Sequence, residues 1–184
     1  MKKMKLPLTD ETIKELYTGD DVLLSGILYV ARDAAHKRMF EALDKGQPLP
    51  FDIKGQTIYY MGPSHTRLGQ VIGAAGPTTS GRMDSYSPRL MQEGLKGMVG
   101  KGNRTRAVKE AIVKYKAIYF AAIGGAGALL AKSIKKSEVV AYEELGAEAV
   151  LKLEVESFPV TVINDIYGRD LYEEGKSKYK VRAK

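Results

Sequence analysis

Short apolar runs alternate with amphipathic segments along the middle of the chain. The run at 21–30 (DVLLSGILYV) is rich in Val, Leu and Ile, which predicts a buried strand. The segment 34–43 then places its large apolar residues on one face, which predicts a helix, with Asp33 as its cap. This alternation of strand and helix favours a layered α/β domain.

The remaining elements are predicted from apolar runs, helix caps and turn residues. A short helix near the amino end can be capped by Thr9 or Asp10. Further helices are predicted at 83–92, 105–114 and 128–132. Further strands are predicted at 56–61, 70–75, 97–100, 117–122, 138–142, 149–155 and 159–164. We therefore expect one domain over 1–175, followed by a solvated basic tail at 176–184.

The absence of cysteine from the 184 residues limits the chemistry of the chain. It excludes a disulfide framework and any cysteine-ligated zinc or iron–sulfur site within this chain. Only two histidines are present, so we expect no metal to be bound by this chain. There is no GxSxG motif and no Ser–His–Asp pattern of a hydrolase.

The charge and hydropathy of the chain bear on its partners and its location. The formal charge of +7 suits an anionic ligand, an acidic partner or nucleic acid, although such a surplus is also common on solvated surfaces. No aromatic–basic stacking motif is present, so we expect no nucleic acid partner. There is no apolar run long enough for a membrane span and no secretory signal, which favours a cytoplasmic location.

Three Gly-rich turns follow predicted strands and precede helix starts, where exposed backbone N–H groups favour anions. They are 76–82 (GPTTSGR), 100–104 (GKGNR) and 123–127 (IGGAG). Arg82 and Lys101 lie in two of these turns, and Arg32 lies at the end of the strand predicted at 21–30. Because ligands gather at strand ends in α/β sheets, the three cations indicate a pocket for a small dianion. Each turn taken alone can equally be a tight connection, and IGGAG can simply allow close packing.

Two further residue types are candidates for chemistry. His36 lies four residues after Arg32, where it could orient a ligand or donate a proton, or be a buried histidine with a local hydrogen bond. His65 is interpreted as a loop histidine. Thr78 and Thr79 carry hydroxyl groups that are poor bases without a proton acceptor, so the residues alone indicate turn stabilisation.

Several segments occur in an order that resembles a known family. They are ARDAAHKRM (31–39), YYMGP (59–63), GPTTSGRMDSY (76–86), KGNR (101–104), IGGAGALLA (123–131), ELG (144–146) and VESFPVTVINDIYGRDL (155–171). Together they resemble the C-terminal domain of class I iron–sulfur fumarases, which in many organisms is a separate β subunit. The resemblance extends from about residue 10 to residue 172.

The resemblance implies a fold, a cofactor and a partner. The fold implied is a compact layered β/β/α domain of the swivelling type. The family's α subunit carries three cysteines that hold a [4Fe–4S] cluster, and the β part holds the dicarboxylate against that cluster. A heterotetramer of the two subunits is the assembly implied. The lack of cysteine in this chain agrees with that division.

The resemblance also implies roles for individual residues in a hydro-lyase of the tricarboxylic acid cycle, the reversible hydration of fumarate to malate. Arg32 and Arg82 would bind substrate carboxylates, and Thr78 would transfer a proton. Lys101 would bind substrate and stabilise developing negative charge. His36 belongs to a matching motif, but no catalytic role is assigned to it. Two alternatives stay open, a β subunit of L-tartrate dehydratase or of a related hydroxy-acid dehydratase, and a non-enzymatic anion-binding module.

Overall fold

A computed structural model, which describes residues 1–180, shows a mixed α/β domain with seven strands in one sheet. The strands are β1 Lys2–Lys5, β2 Asp21–Val30, β3 Thr57–Tyr59, β4 Gly97–Gly100, β5 Ile118–Ala121, β6 Ile134–Ala141 and β7 Val150–Asn164. The helices are α1 Asp10–Ile13, α2 Asp33–Asp44, α3 Ser87–Gln92, α4 Arg106–Tyr115, α5 Gly127–Lys132 and α6 Leu171–Tyr179. Short 3₁₀ segments occupy Ser80–Met83 and Glu143–Glu148. Among residues 1–180, none of the helices combines the length and the apolar character that a membrane span requires.

The sheet closes on itself and is partly barrel-like. Strands β2, β3, β4 and β5 are successive parallel neighbours. The long strand β7 runs antiparallel to both β5 and β2, so these five strands form a closed ring. Strand β1 adds to β2 in parallel, and β6 adds to β7 in antiparallel orientation. This topology brings the carboxyl ends of four parallel strands to one edge.

Alternate side chains of the central strands enter two separate apolar clusters, as the period of two in a strand requires. Tyr59, Val99 and Phe120 pack with apolar residues of β2 and β7 in the first cluster. Ile58, Met98 and Tyr119 pack with residues of α2, α3 and α4 in the second. The strands are therefore buried on both faces, which explains their continuous apolar sequences.

Most of the predicted elements are confirmed. The strand at 21–30 is present with the predicted bounds, and the short strand at 97–100 also agrees. The first helix is capped by Thr9, whose side chain accepts a hydrogen bond from the Thr12 N–H. The predicted layered α/β character is correct at the level of a mixed α/β domain with a seven-stranded sheet.

The predicted strand at 70–75 is wrong. The segment forms a loop whose polar groups are satisfied locally, since the Gly73 N–H donates to Thr66 Oγ1 at 3.2 Å and the Ala74 N–H donates to Ser64 Oγ at 2.8 Å. A Cβ on Gly73 would lie only 2.2 Å from the Ser64 carbonyl oxygen. The close approach of these two loop segments replaces a strand ladder.

The predicted helix at 83–92 is divided into two pieces. A 3₁₀ turn ends at Met83, and α3 begins at Ser87 with Pro88 in its first turn. Proline lacks an N–H group and disfavours helical geometry at the preceding residue, so it starts a helix better than it continues one.

The two strands predicted at 149–155 and 159–164 are one strand, β7. Pro159 does not interrupt it, since this residue pairs with Leu23 of β2. A shift in the β2–β7 register lies between Leu24 and Gly26, and Ser157 takes a positive φ of 53° opposite this shift. The Ser157 N–H donates to Ser25 Oγ at 2.9 Å. β6 begins at Ile134, earlier than the predicted 138, and β1 was not predicted.

Helix α6 continues to Tyr179, so it crosses the predicted boundary between the domain and the basic tail. The Asp170 side chain caps this helix by accepting hydrogen bonds from the Tyr172 and Glu173 N–H groups. The predicted division at residue 175 stays a prediction. The last part of the predicted tail, 181–184, lies outside the described residues.

A buried ion pair joins the turn after β4 to the segment before α3. Arg104 Nε lies 2.7 Å from Asp84 Oδ1, and the two side chains are 0% and 7% exposed. Arg104 also donates to Ser87 Oγ at 2.7 Å, while the Thr105 N–H donates to Asp84 Oδ2 at 2.6 Å. Each charge in this pair depends on the other, because an unpaired buried charge is strongly unfavourable.

We expect the substitution Asp84→Asn to lower the free energy of unfolding by about 3–5 kcal/mol, because it leaves the Arg104 guanidinium buried without its counter-charge. Urea denaturation of the chain measures this difference. The matched control is Glu110→Gln, which breaks the solvent-exposed ion pair with Arg106 and should leave the unfolding midpoint unchanged. Equal destabilisation by the two variants would contradict the prediction.

Candidate active site

Four parallel strands end at the edge of the sheet where the candidate residues lie. Arg32 follows β2, Gly62 follows β3 and Lys101 follows β4. The IGGAG turn at 123–127 follows β5. Arg32 and Lys101 thus follow parallel strands at this edge, while Arg82 lies in the 3₁₀ segment Ser80–Met83.

Arg32 lies at the amino end of α2, and an acidic residue from a distant loop holds it there. Its side chain is 19% exposed, and its Nη2 lies 3.4 Å from Glu148 Oε1. The other carboxylate oxygen of Glu148 accepts a hydrogen bond from the Ala34 N–H at 2.8 Å. Glu148 thus supplies the cap that α2 lacks at its own cap residue, Arg32.

Arg82 is paired with Asp33, the residue that follows Arg32 in the chain. Arg82 Nε lies 2.9 Å from Asp33 Oδ1, and the Arg82 side chain is 52% exposed. The predicted role of Asp33 as the helix cap is wrong, since α2 begins at Asp33 and Arg32 is the cap residue. The Asp33 carboxylate binds an arginine of the candidate site instead.

Thr78 and Lys101 are joined through backbone hydrogen bonds. The Thr78 N–H and the Thr78 hydroxyl both donate to the Tyr60 carbonyl, at 2.7 and 3.1 Å. The Lys101 N–H donates to the Thr78 carbonyl at 3.3 Å, and the Lys101 side chain is exposed. The hydroxyl contact agrees with turn stabilisation. The backbone hydrogen bond places Thr78 next to Lys101 in space.

The third Gly-rich turn packs tightly against the first. A Cβ on Gly127 would lie 2.9 Å from the Gly76 nitrogen, and the Ala75 N–H donates to the Gly127 carbonyl at 3.0 Å. Gly127 therefore permits a close approach of two backbones, as expected for IGGAG from packing alone.

His36 is fully buried beneath Arg32 and does not face solvent. Its Nδ1 donates to the Arg32 carbonyl at 2.8 Å, and its Nε2 is buried without a hydrogen-bond partner among residues 1–180. The ring lies against Tyr60 and Tyr86. Burial lowers the pKa of His36 to about 4, because the charged ring would lose its hydration. The sequence left two interpretations of His36 open, and the structure shows the buried histidine with a local hydrogen bond. His65 lies exposed in a loop.

Four residues of this edge were assigned other roles, or none, from the sequence. Glu148 could not be identified from the sequence, because it lies 114 residues after Ala34, to which it is hydrogen-bonded. Asp33 and Gly62 lie in the segments ARDAAHKRM and YYMGP. These segments were noted in the sequence, but the contacts of the two residues could not be predicted from it. Arg104 lies in KGNR, and its burial depends on Asp84.

An iron–sulfur cluster does not fit the donor set of this chain. Such clusters are held by cysteine thiolates, and the sequence has no cysteine. Within the described range 1–180, no group of three or more His, Cys, Asp or Glu side chains could hold a metal ion. The chemistry available from the chain itself is cationic binding by Arg32, Arg82 and Lys101, with a hydroxyl group at Thr78.

We expect the His36 ring to titrate near pH 4 in the folded chain, well below the ordinary histidine pKa of 6.5. Because the unfolded chain takes up this proton first, the free energy of unfolding should fall by up to about 1.4 kcal/mol per pH unit as pH decreases from 6.5 towards 4. NMR titration of the ring measures the pKa directly.

The variant His65→Gln leaves a single histidine and so assigns the remaining ring signal to His36. As a second control, His36→Gln should remove this contribution to the pH dependence of unfolding. A His36 ring that titrates close to 6.5 in the folded state would contradict the burial of this side chain.

Comparison with known proteins gives the same family for the whole domain. The family model described as Fumarase C-terminus matches residues 1–175. Fumarate hydratase 2 of Leishmania major is 44% identical over 164 residues, covering 88% of this chain and 29% of that protein. The aerobic class I fumarate hydratase of Salmonella typhimurium is 46% identical over 156 residues, covering 84% of this chain and 27% of that protein.

One relative has nearly the same length as this chain. A Methanocaldococcus jannaschii protein, provisionally named L(+)-tartrate dehydratase subunit beta, is 38% identical over 177 residues, covering 93% of this chain and 91% of that protein. The chain spans less than a third of the two fumarate hydratases above. The match of the family model and these identities show that the chain belongs to the Fumarase C-terminus family.

Proposed function

We propose that this chain is the β subunit of a hydro-lyase that interconverts fumarate and malate, and that it holds the dicarboxylate at the edge formed by β2 to β5. The observation that supports the proposal is that Arg32 and Lys101 follow strands of this edge, with Arg82 paired to Asp33 next to Arg32 and Thr78 bonded to the Lys101 N–H. The names of the longer relatives, fumarate hydratases, support the substrate.

The charges of this edge suit a small dianion. A guanidinium group can bind a carboxylate with two parallel hydrogen bonds, so Arg32 and Arg82 are proposed to take one carboxylate each. Asp33 occupies Nε of Arg82, which leaves the terminal nitrogens of this half-exposed side chain to bind substrate. Lys101 adds a point charge, which would stabilise the negative charge that develops when a C–H proton leaves malate.

Thr78 is proposed to move that proton. Its hydroxyl hydrogen points to the Tyr60 carbonyl, so the oxygen lone pairs are directed elsewhere and can accept a proton. A hydroxyl group cannot keep a second proton, so the hydroxyl's own proton must leave Oγ1 as the C–H proton arrives. This requires the hydroxyl to turn from the Tyr60 carbonyl towards a stronger base, such as an ionised carboxylate. We propose an acidic group of a partner subunit for that step.

The cluster-bearing α subunit is part of the same proposal. The chain has no cysteine, so a [4Fe–4S] cluster of the enzyme would be held by the partner, and we derive no step of the reaction through it. The relative of matching length is named as a subunit, which supports a two-subunit arrangement. A heterotetramer, the swivelling type of β/β/α fold and a cytoplasmic location complete the proposal as further expectations.

A second candidate is the β subunit of L-tartrate dehydratase. The relative that matches this chain over 91% of its own length carries that name. The same cationic edge would suit tartrate, which is also a dicarboxylate. A non-enzymatic module that binds an anion is the remaining alternative, and it differs in requiring no partner.

The test of the proposal is co-expression with the cognate α subunit, anaerobic purification and assay of malate dehydration through fumarate absorbance. Activity that requires both chains would support the proposal. A complex that dehydrates tartrate but not malate would favour the second candidate. If the isolated chain binds dicarboxylates tightly and forms no complex, the subunit proposal is overturned.

We expect Arg82→Ala to lower kcat/KM for malate by an amount equivalent to about 2–5 kcal/mol of transition-state stabilisation, because one carboxylate loses its guanidinium partner. Steady-state kinetics of the two-subunit complex measures this loss. Arg106→Ala is the matched control, since that arginine is highly exposed and lies on α4. Normal turnover by an assembled Arg82→Ala complex would contradict the assignment of Arg82.

A further inference from the structure

The Arg32 side chain is confined by two groups that lie far apart in the chain, and a third group binds its backbone. Gly62 lies against its guanidinium group, Glu148 contacts Nη2, and His36 binds its backbone carbonyl. Its Nε is buried as well. This restraint is unusual for an arginine at a domain edge, where the side chain would ordinarily have many rotamers.

Gly62 provides the space in which the guanidinium lies. A Cβ at this position would be 2.2 Å from Arg32 Nη1 and 3.1 Å from Cζ, both well inside van der Waals contact. Gly62 is absent from the residues with positive φ, so its backbone conformation does not demand glycine. The glycine is therefore required by the neighbouring side chain, and alanine would displace the tip of Arg32.

The displaced atoms belong to the end of a long side chain, which can move at little cost to the fold. Alanine at position 62 should consequently change where the guanidinium lies and leave the stability of the domain nearly unchanged. A displaced guanidinium group without a loss of domain stability is what would distinguish a positioning role of Gly62 from a structural one.

Glu148, which lies much later in the chain, restrains the same side chain. One carboxylate oxygen lies 3.4 Å from Arg32 Nη2, and the other accepts a hydrogen bond from the Ala34 N–H. The carboxylate is thereby fixed to the amino end of α2, where the helix dipole also favours it. The charge of Glu148 then holds the guanidinium in one orientation.

We propose that Gly62 and Glu148 are positioning residues, which act on substrate only through the place and orientation that they give to Arg32. This inference rests on the proposed function, because it takes Arg32 as a carboxylate-binding group. Neither residue needs to contact the dicarboxylate.

The first test is the kinetics of Gly62→Ala in the two-subunit complex. We expect kcat/KM for malate to fall roughly 10- to 100-fold, because a misplacement of about 1 Å at a binding group has costs of this order. The thermal unfolding midpoint should stay close to that of the unmodified chain. The control Gly175→Ala lies in α6 with no atom near the added methyl group, and it should leave kinetics unchanged. An unaltered kcat/KM in Gly62→Ala would overturn the proposal.

The second test shows whether the effect passes through Arg32. In an Arg32→Ala background no guanidinium remains to be displaced, so adding Gly62→Ala should lower kcat/KM by less than about 3-fold. Glu148→Gln keeps an oxygen for the Ala34 N–H but removes the charge, and its effect should also disappear in the Arg32→Ala background. Equal losses in both backgrounds would mean that these residues act independently of Arg32, which overturns the inference.

A third readout does not depend on enzymatic activity. The Nε–Hε signal of Arg32 in ¹⁵N NMR spectra of the chain is assigned from its loss in Arg32→Lys. Gly62→Ala should shift this signal, and Gly175→Ala should not. If the complex dehydrates no hydroxy acid, the proposed function fails, while the shift still decides whether Gly62 positions Arg32. An unshifted signal overturns the positioning role whatever the activity.

Discussion

The pairing of β7 with β2, which extends along the length of β2, is the constraint on which the fold depends. Its register runs from Asp21 opposite Thr161 to Val30 opposite Leu151. Along its other edge, β7 pairs with β6 near the amino end of β7 and with β5 near the carboxyl end of β7. The parallel strands β2 to β5 are thereby closed into a ring, and their carboxyl ends meet at one edge. The direct pairings β2–β3 and β3–β4 bring Arg32 and Lys101 to that edge, and β7 closes the sheet around the strands that carry them.

Elements with a strong local signal were predictable from the sequence, and elements defined by their neighbours were not. The run 21–30 and the helix near 34–43 have clear apolar periodicity, and both are confirmed. Strands β1 and β6 are rich in lysine, because they lie at the two ends of the sheet order where one side remains open. The two strands predicted at 149–155 and 159–164 are one strand, because β7 continues across a shift in its register with β2.

The candidate site likewise has residues that the sequence could identify and contacts that it could not. The resemblance of short motifs identified the four residues that the proposal uses, and the topology explains why strand ends would collect them. Their supporting contacts were not visible, because the pairs Arg82–Asp33 and Arg32–Glu148 join segments with no common periodicity. Gly62 was visible as a residue, but the reason for a glycine there is the guanidinium of Arg32. Local sequence thus indicates which side chains are present, and the closed sheet determines which of them touch.

The lateness of β7 in the chain has a consequence for biosynthesis. Asp21 and its partner Thr161 are separated by 140 residues. At translation rates of about 5–20 residues per second, Thr161 is made about 7–28 seconds after Asp21. Until then β2 lacks its antiparallel neighbour, and Arg32 lacks the carboxylate of Glu148. Contacts so distant in sequence are also slow to form, since a long loop must close first. On the ribosome, therefore, the edge that carries Arg32 would be among the last parts of this domain to form.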